Sequence, residues 1–503
     1  METGEDVILA LDEGTSSAKA FVFDDMGEIL GEGRRPLRQR YPRPGWVEHD
    51  PDEIWTAMQH AIREALQSAD VTAGELAAVG VTNQRETVML WNRADGRPLA
   101  NAIVWQDRRT APAVEELDDM QRDMVHGKTG LIPDAYFSAS KLGWLLDSLP
   151  DGRRNARDGE IACGTVDSWL IWQLTGGEVH ATDCSNASRT MLYDIHRQAW
   201  DDELLELFDL PGEMLPAVHD SSHRYGHALL DGCQIPITGC AGDQQAALFG
   251  QRCTTPGMVK NTYGTGNFIL MCMDGCHTSS RLLTTVAWRL DGRVTYALEG
   301  SMFATGAGVQ WLQQLGLLDT VDDVEALAAS VDDTGGVYLV PAFVGLGAPY
   351  WDATARGTLT GLSGGVDRAV LARAALEAIA YLSEDVVGAM EAETGDAVRE
   401  MRVDGGGSRN NLLMQFQADI SRHAVLRPRV METTALGVAM FAGLQADVWE
   451  SQRELDGLWQ EAARYQPQMS EETRDVRYHG WKQAVERARG WTTDLQPAGD
   501  ADG

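Results

Sequence analysis

Short apolar runs alternate with turns rich in Gly, Ser, Thr and Asp along most of this chain, the pattern of an α/β protein. Residues 7–12 and 20–24 are apolar runs on either side of a Gly-Thr-Ser-Ser turn and predict an opening β-hairpin. Ile54, Met58, Ile62 and Leu66 fall at helical spacing and predict a helix over 54–65. Residues 76–81 predict a strand that delivers 82–87 at its C-terminal end, where ligands gather in α/β sheets. Helices are expected over 140–149, with Leu142, Leu145 and Leu146 inward, and over Val166–Leu174.

The second half repeats this scheme. Residues 257–261 lead into Tyr263-Gly264-Thr265-Gly266, a second Gly/Thr turn, and then a strand over 268–273. A long helix is expected over 369–387, a strand over 401–404 and a helix over 412–420. The apolar, small-residue run 436–444 predicts a helix buried between layers. Residues beyond about 494 read as a frayed tail. Two hairpin-led halves suggest a duplicated domain with its boundary near 250–256, hence units 1–250 and 251–503. A length of 503 residues agrees, since single cores stop growing at roughly 250–300 residues.

Charge changes the picture of the surface. Lys plus Arg number 42 against 75 Asp plus Glu, a net of −33, and only Lys19, Lys128, Lys141, Lys260 and Lys482 are lysines. Such a surface repels nucleic acid and anionic membranes, so neither is expected as a partner. It suits a salt-rich cytoplasm, where screening shortens the repulsion. It also repels anionic ligands at long range, so any phosphate site here must rely on a bound cation and local donors. The seven cysteines are odd in number and scattered, which predicts reduced thiols in a cytosolic protein. Cys272 and Cys276 have no second pair at matching spacing and predict no metal site. The acidic N-terminus runs directly into a strand and no apolar run reaches ~18 residues, so neither export nor a membrane span is expected.

Three Asp-containing turns carry the candidate chemistry: Asp12-Glu13-Gly14-Thr15-Ser16-Ser17, Gly242-Asp243-Gln244-Gln245 and Asp404-Gly405-Gly406-Gly407. Turns rich in Gly, Ser and Thr leave backbone N–H groups open to phosphate oxygens. A carboxylate beside such a turn can hold Mg²⁺ or take a proton. Asp243 also precedes the helical run 244–249, so it suits a helix cap as well as a general base. Arg85 and Glu86 at a strand end form a donor–acceptor pair suited to hydroxyls, although an adjacent Arg-Glu pair is by itself usually a solvated surface. The phosphate-binding Gly-x-x-x-x-Gly-Lys-Ser/Thr loop is absent, which excludes a P-loop kinase.

Eight ordered segments carry a resemblance. They are 10–17, Pro44-Gly45-Trp46-Val47-Glu48-His49-Asp50, Thr82-Asn83-Gln84-Arg85-Glu86-Thr87, Asn101-Ala102-Ile103-Val104-Trp105-Gln106, Tyr136-Phe137-Ser138, Ala241-Gly242-Asp243-Gln244-Gln245, 261–266 and 404–411. From Leu9 to about Gly443 the chain resembles the FGGY carbohydrate kinases. The resemblance implies an α/β fold of two ribonuclease-H-like (actin-like ATPase) domains flanking a catalytic cleft. It implies ATP-dependent phosphorylation of glycerol with Mg²⁺, and a homo-oligomer (dimer or tetramer). Asp243 is then the general base and, with Asp12, a metal partner. Arg85, Glu86, Tyr136, Trp105, Phe268, Asp243 and Gln244 would hold the acceptor. Thr15, Ser16, Ser17, Lys19, Gly264, Thr265, Gly306, Gln310, Gly406 and Asn410 would hold the nucleotide, with Gly406 leaving room for the purine. Two rivals are another sugar or polyol kinase of this family, and a non-enzymatic ATP switch of the actin or chaperone kind. The chain departs from the family pattern at Glu13, usually Gln, at Lys19, usually Arg, and at Val370, where a polar residue is expected. Lysine in place of arginine turns a bidentate phosphate contact into a point charge.

Overall fold

A computed structural model describes residues 6–264, 266–302 and 306–491. Thr265 and the tail beyond 494 lie outside the described residues. Val7–Glu13 is buried along its whole length, as a strand covered on both faces must be. Leu9 and Leu11 face the helix Pro51–Ala69 through Ile54, Met58 and Ile62. Ile8 and Ala10 face the opposite way, onto Leu436, Val438 and Phe441. The helix Pro51–Ala69 opens on Asp50, whose side chain accepts from the Asp52 N–H, and Pro51 fills its first turn.

The first sheet has six strands in the order Ser222–Leu230, Cys233–Gly242, Leu76–Asn83, Val7–Glu13, Ser17–Phe23 and Ile29–Pro36. Val7–Glu13 pairs antiparallel with its hairpin partner and parallel with Leu76–Asn83. The second sheet has seven strands and repeats this arrangement. In it Met258–Tyr263 pairs antiparallel with Asn267–Met273 and parallel with Glu400–Asp404. The strand Arg293–Met302 and its hairpin partner Leu283–Leu290 extend the second sheet beyond Asn267–Met273.

The helix Thr433–Gln445 belongs to the second half in sequence, yet it covers a face of the first sheet. It crosses the helix Asp243–Gly250 at a pair of glycines. A Cβ on Gly437 would lie 1.8 Å from the Ala246 carbonyl oxygen, and one on Gly250 would lie 2.1 Å from that of Thr433. Only glycine permits backbones to approach this closely. Among the described residues no helix is long and apolar enough to cross a membrane.

Candidate active site

Strand register brings the three Asp-bearing turns into two rows. Glu13, Asn83 and Gly242 lie side by side at the carboxyl ends of three parallel strands. The residues that follow them, Gly14-Thr15, Gln84-Arg85 and Asp243, therefore leave the sheet at one edge. In the second sheet Thr262 is level with Asp404, so Tyr263-Gly264 and Gly405 leave together.

The first turn is closed by the Gly14 N–H donating to the Ser17 carbonyl at 3.1 Å, and the Ser16 carbonyl accepts from the Leu37 N–H at 2.9 Å. Ser16 is exposed, Thr15 half-buried and Ser17 buried. Asp12 lies 3.4 Å from the Lys19 ammonium, which also donates to Glu432 at 3.2 Å. Burial raises the Asp12 carboxyl above its ordinary range against the pull of Lys19. Lys19 thus spends its charge within the protein, on a carboxylate of the turn and on one at the start of the helix Thr433–Gln445.

Glu86 has a left-handed backbone, φ 61°, and the Thr87 N–H donates to the Arg85 carbonyl at 2.7 Å. A non-glycine residue in this region is uncommon and is concentrated at functional sites. Here the tight turn sets the two adjacent side chains within one buried network. The Arg85 guanidinium forks onto Glu299 at 2.5 and 2.9 Å. Arg189 bridges the Glu86 carboxylate at 2.7 Å and the Glu299 carboxylate at 3.0 Å. Burial alone would raise the Glu299 carboxyl, but Arg189 and Arg85 outweigh it and hold it down at about 2.

Three aromatic rings close around this network. Trp105 stands 5.7 Å from Tyr136 and 6.2 Å from Phe268, and the Arg85 guanidinium lies 5.9 Å from the Phe268 ring centre. Behind them the buried Lys141 ammonium donates to the Tyr136 carbonyl at 2.7 Å and the Trp105 carbonyl at 3.3 Å. Burial brings the Lys141 amine down to about 7. Arg85, Glu86, Tyr136, Trp105 and Phe268 are thus brought together. Gln244 instead turns to the buried Lys260 ammonium, and it is Gln245 that accepts from Arg85, at 3.2 Å.

Asp243 begins the helix Asp243–Gly250, and its carboxylate accepts from the Gln244 N–H at 2.7 Å. The same carboxylate lies 3.3 Å from the Arg85 Nε and is one quarter exposed. Its surroundings push it up to about 6, chiefly by burial, with Arg85 opposing and the carboxylates of Glu86 and Asp12 adding to the rise. Asp243 is therefore both a helix-terminal residue and a basic carboxylate beside the Arg85–Glu86 pair. Asp12 and Asp243 offer carboxylate oxygens, the donor type a magnesium ion takes, and the charge of Asp12 is felt at Asp243.

In the second half a cavity of 540 Å³ is lined by Gly264, Gly306, Gln310, Gly406 and Asn410, together with the apolar Val309, Leu376 and Ile379. The glycine triplet divides its duties. Gly405 has φ +79° and a Cβ there would meet the Tyr263 carbonyl at 2.5 Å, whereas a Cβ on Gly406 would meet no protein atom within 4 Å. A side chain on Gly406 would therefore be limited by an occupant of the cavity and not by protein packing. Asn410 accepts from the Leu413 N–H at 2.9 Å and so caps the helix Asn411–Ser421.

Four residues that hold this site carry no motif in the sequence: Glu299, Arg189, Lys141 and Lys260. The signal available was a charge inside an apolar run, as in Tyr296-Ala297-Leu298-Glu299 and Met258-Val259-Lys260. Such a charge is buried with the strand that carries it and needs a partner.

Two α/β domains of like topology, each with Gly- and Thr-rich turns at the carboxyl ends of its parallel strands, are the architecture of a two-lobed phosphotransferase. The chain belongs to the FGGY family of carbohydrate kinases: the model of the family's N-terminal domain matches residues 7–250 and that of its C-terminal domain residues 259–446. It is 54% identical over 494 residues to a glycerol kinase of Deinococcus radiodurans, covering 97% of this chain and 99% of the relative. A glycerol kinase of Thermococcus kodakarensis is 55% identical over 498 residues, covering 98% and 99%. Among solved structures, Plasmodium falciparum glycerol kinase with ADP superposes with a TM-score of 0.90 at 35% identity, covering 96% of this chain and 98% of that one. The expected two-domain, actin-like architecture is thereby borne out.

Proposed function

We propose that this protein transfers the γ-phosphoryl group of ATP to a terminal hydroxyl of glycerol. The observation that carries the reading is the position of Asp243. Its carboxylate lies 3.3 Å from the Arg85 Nε and is pushed up by burial, with the nearby carboxylates of Glu86 and Asp12 adding to the rise. Relatives named as glycerol kinases match the chain over nearly its full length.

In this reading Arg85 donates to one acceptor hydroxyl and Glu86 accepts from another, while Trp105, Tyr136 and Phe268 exclude water from the carbon chain. Asp243 takes the proton from the attacking hydroxyl as its oxygen bonds to the γ-phosphorus. The bond from phosphorus to the β,γ-bridging oxygen breaks, ADP leaves, and the proton passes from Asp243 to solvent. Thr15, Ser16 and Ser17 receive the phosphates from one half, and the cavity holding Gly306, Gln310, Gly406 and Asn410 receives the nucleoside from the other. A magnesium ion held by Asp12 and Asp243 would neutralise the phosphate charge that so acidic a chain otherwise repels.

ADP release measured with a panel of polyols and sugars in concentrated KCl tests the assignment. Glycerol should give the highest kcat/KM. Release that is faster with a pentulose or an aldonic acid would make this a different kinase of the family, and release independent of any acceptor would make it an ATP switch.

A further inference from the structure

A closed ring of hydrogen bonds joins the acceptor wall to the phosphate turn. The Trp105 backbone N–H donates to the Thr87 hydroxyl at 3.1 Å, and that hydroxyl donates to the Gln84 side-chain carbonyl at 2.9 Å. The Gln84 amide donates to both Glu13 carboxylate oxygens, at 3.3 and 3.2 Å, and the Gln84 backbone N–H donates to the Glu13 carbonyl at 2.6 Å. Two residues beyond Glu13, the Thr15 hydroxyl accepts from the Trp105 indole N–H at 2.9 Å, which closes the ring.

Every donor in this ring has a defined direction. An indole N–H can only donate, so the Thr15 oxygen accepts from it and the hydroxyl hydrogen of Thr15 must be donated elsewhere. Trp105 thereby turns Thr15 into a donor aimed away from the tryptophan. On its other side the same indole packs against Tyr136 and Phe268. One side chain is therefore shared between two subsites, and its backbone is anchored from behind by Lys141.

We propose that Trp105 is the positioning residue of the phosphate turn as well as a wall of the acceptor pocket: its indole N–H fixes the Thr15 hydroxyl as a donor to the terminal phosphate of the nucleotide, so that acceptor and nucleotide binding are coupled through this one hydrogen bond. The inference rests on the reading of residues 15–17 as the phosphate turn. Occupation of the acceptor pocket holds the indole in place, and a held indole holds Thr15. Coupling of this kind is reciprocal.

A double-mutant cycle tests it. Trp105→Phe keeps an aromatic wall without the N–H, Thr15→Val keeps the volume without the hydroxyl, and Thr15→Ser restores the hydroxyl. Binding of a non-hydrolysable ATP analogue and of ADP is measured by calorimetry, with and without saturating glycerol. Each of the first two variants should weaken the analogue about 10- to 100-fold, the worth of one hydrogen bond to a charged group. ADP, which lacks the terminal phosphate, should change less than about 2-fold, within the size of a lost weak contact. The double variant should be no worse than either single, and Thr15→Ser should match wild type. Glycerol should tighten the analogue in wild type and in Thr15→Ser but not in the other variants. Additive losses in the cycle, equal losses for ADP, or unchanged analogue binding in Trp105→Phe would each overturn the proposal. If Trp105→Phe does not fold, the comparison of Thr15→Val with Thr15→Ser decides it through the glycerol effect. A wild-type protein without glycerol-dependent ADP release would overturn the kinase assignment itself, and an active wild type with an additive cycle would overturn only the coupling.

Discussion

Two demands meet on the Asp243 side chain. A proton acceptor needs a carboxylate that is ionised at working pH yet basic, and the fold supplies this by enclosing Asp243 at a helix start beside Arg85. Its pKa of about 6 lies above the ordinary value near 4, so keeping it charged costs stability above pH ~6, and the cost fades as pH falls towards 4. Asp243→Asn should therefore lose about 10²- to 10⁴-fold in turnover and melt about 1 °C higher than wild type at pH 8, a gain of roughly 1 kcal/mol that vanishes near pH 4. Turnover within a few-fold of wild type would remove Asp243 from the mechanism. Glu299 has the opposite sign. Its pKa of about 2 means that it adds stability above the ordinary glutamate value of 4.5, and this is lost progressively as pH falls from there through about 2. Glu299→Gln would leave Arg85 and Arg189 buried without their shared counter-ion, at a cost of about 3–5 kcal/mol. Denaturant unfolding should show that loss, and the glycerol KM should rise while the ATP KM stays within about 3-fold, because Arg85 belongs to the acceptor side. Arg85 and Glu86 were legible in the sequence because they follow a strand-like run, and Asp243 because its turn matches the family pattern just before a helical run. Glu299 and Arg189 were not, because the partners of a buried ion network lie 103 to 214 positions apart in the chain and nothing local pairs them.

Elements whose burial is written in their own residues were legible, and elements whose burial depends on glycine were not. Residues 7–11 and 435–444 are apolar or small throughout and lie at the centre of the fold. No apolar run announces Ile29–Pro36, yet it is a strand packed so close that a Cβ on Gly31 or Gly33 would lie 2.4 or 2.1 Å from the backbone of the helix Pro51–Ala69. The absence of side chains there lets the strand lie flat under the helix. The same device sets the crossing of Asp243–Gly250 with Thr433–Gln445, so Gly437→Ala should cost about 3 kcal/mol or more through forced separation of two backbones. Gly388→Ala provides the contrast. It lies within the helix Arg368–Thr394, a Cβ there meets nothing within 4 Å, and the change should stabilise by about 0.5–1 kcal/mol. Equal effects of the two substitutions on melting temperature would dissociate the close crossing from stability.

At the scale of the molecule, a net charge of −33 sets the response to solvent. Self-repulsion destabilises the compact state in dilute buffer, and the Debye length falls from about 30 Å at 0.01 M salt to about 3 Å at 1 M. Melting temperature and activity should rise together from low salt to molar KCl. Mild acidification should replace part of the salt requirement for stability but not for activity, since Asp243 must remain ionised. A melting temperature that is flat across this range would reject the salt-adapted reading of the composition and leave the catalytic assignment standing. The helix Thr433–Gln445 has a further consequence, for the order in which the protein can be made. Ile8 and Ala10 find their lid in Leu436, Val438 and Phe441, more than 420 positions further along the chain. During synthesis the first lobe therefore waits for that helix with one sheet face bare, and a fragment ending before residue 257 should bind a dye specific for exposed apolar surface until the missing helix is added back.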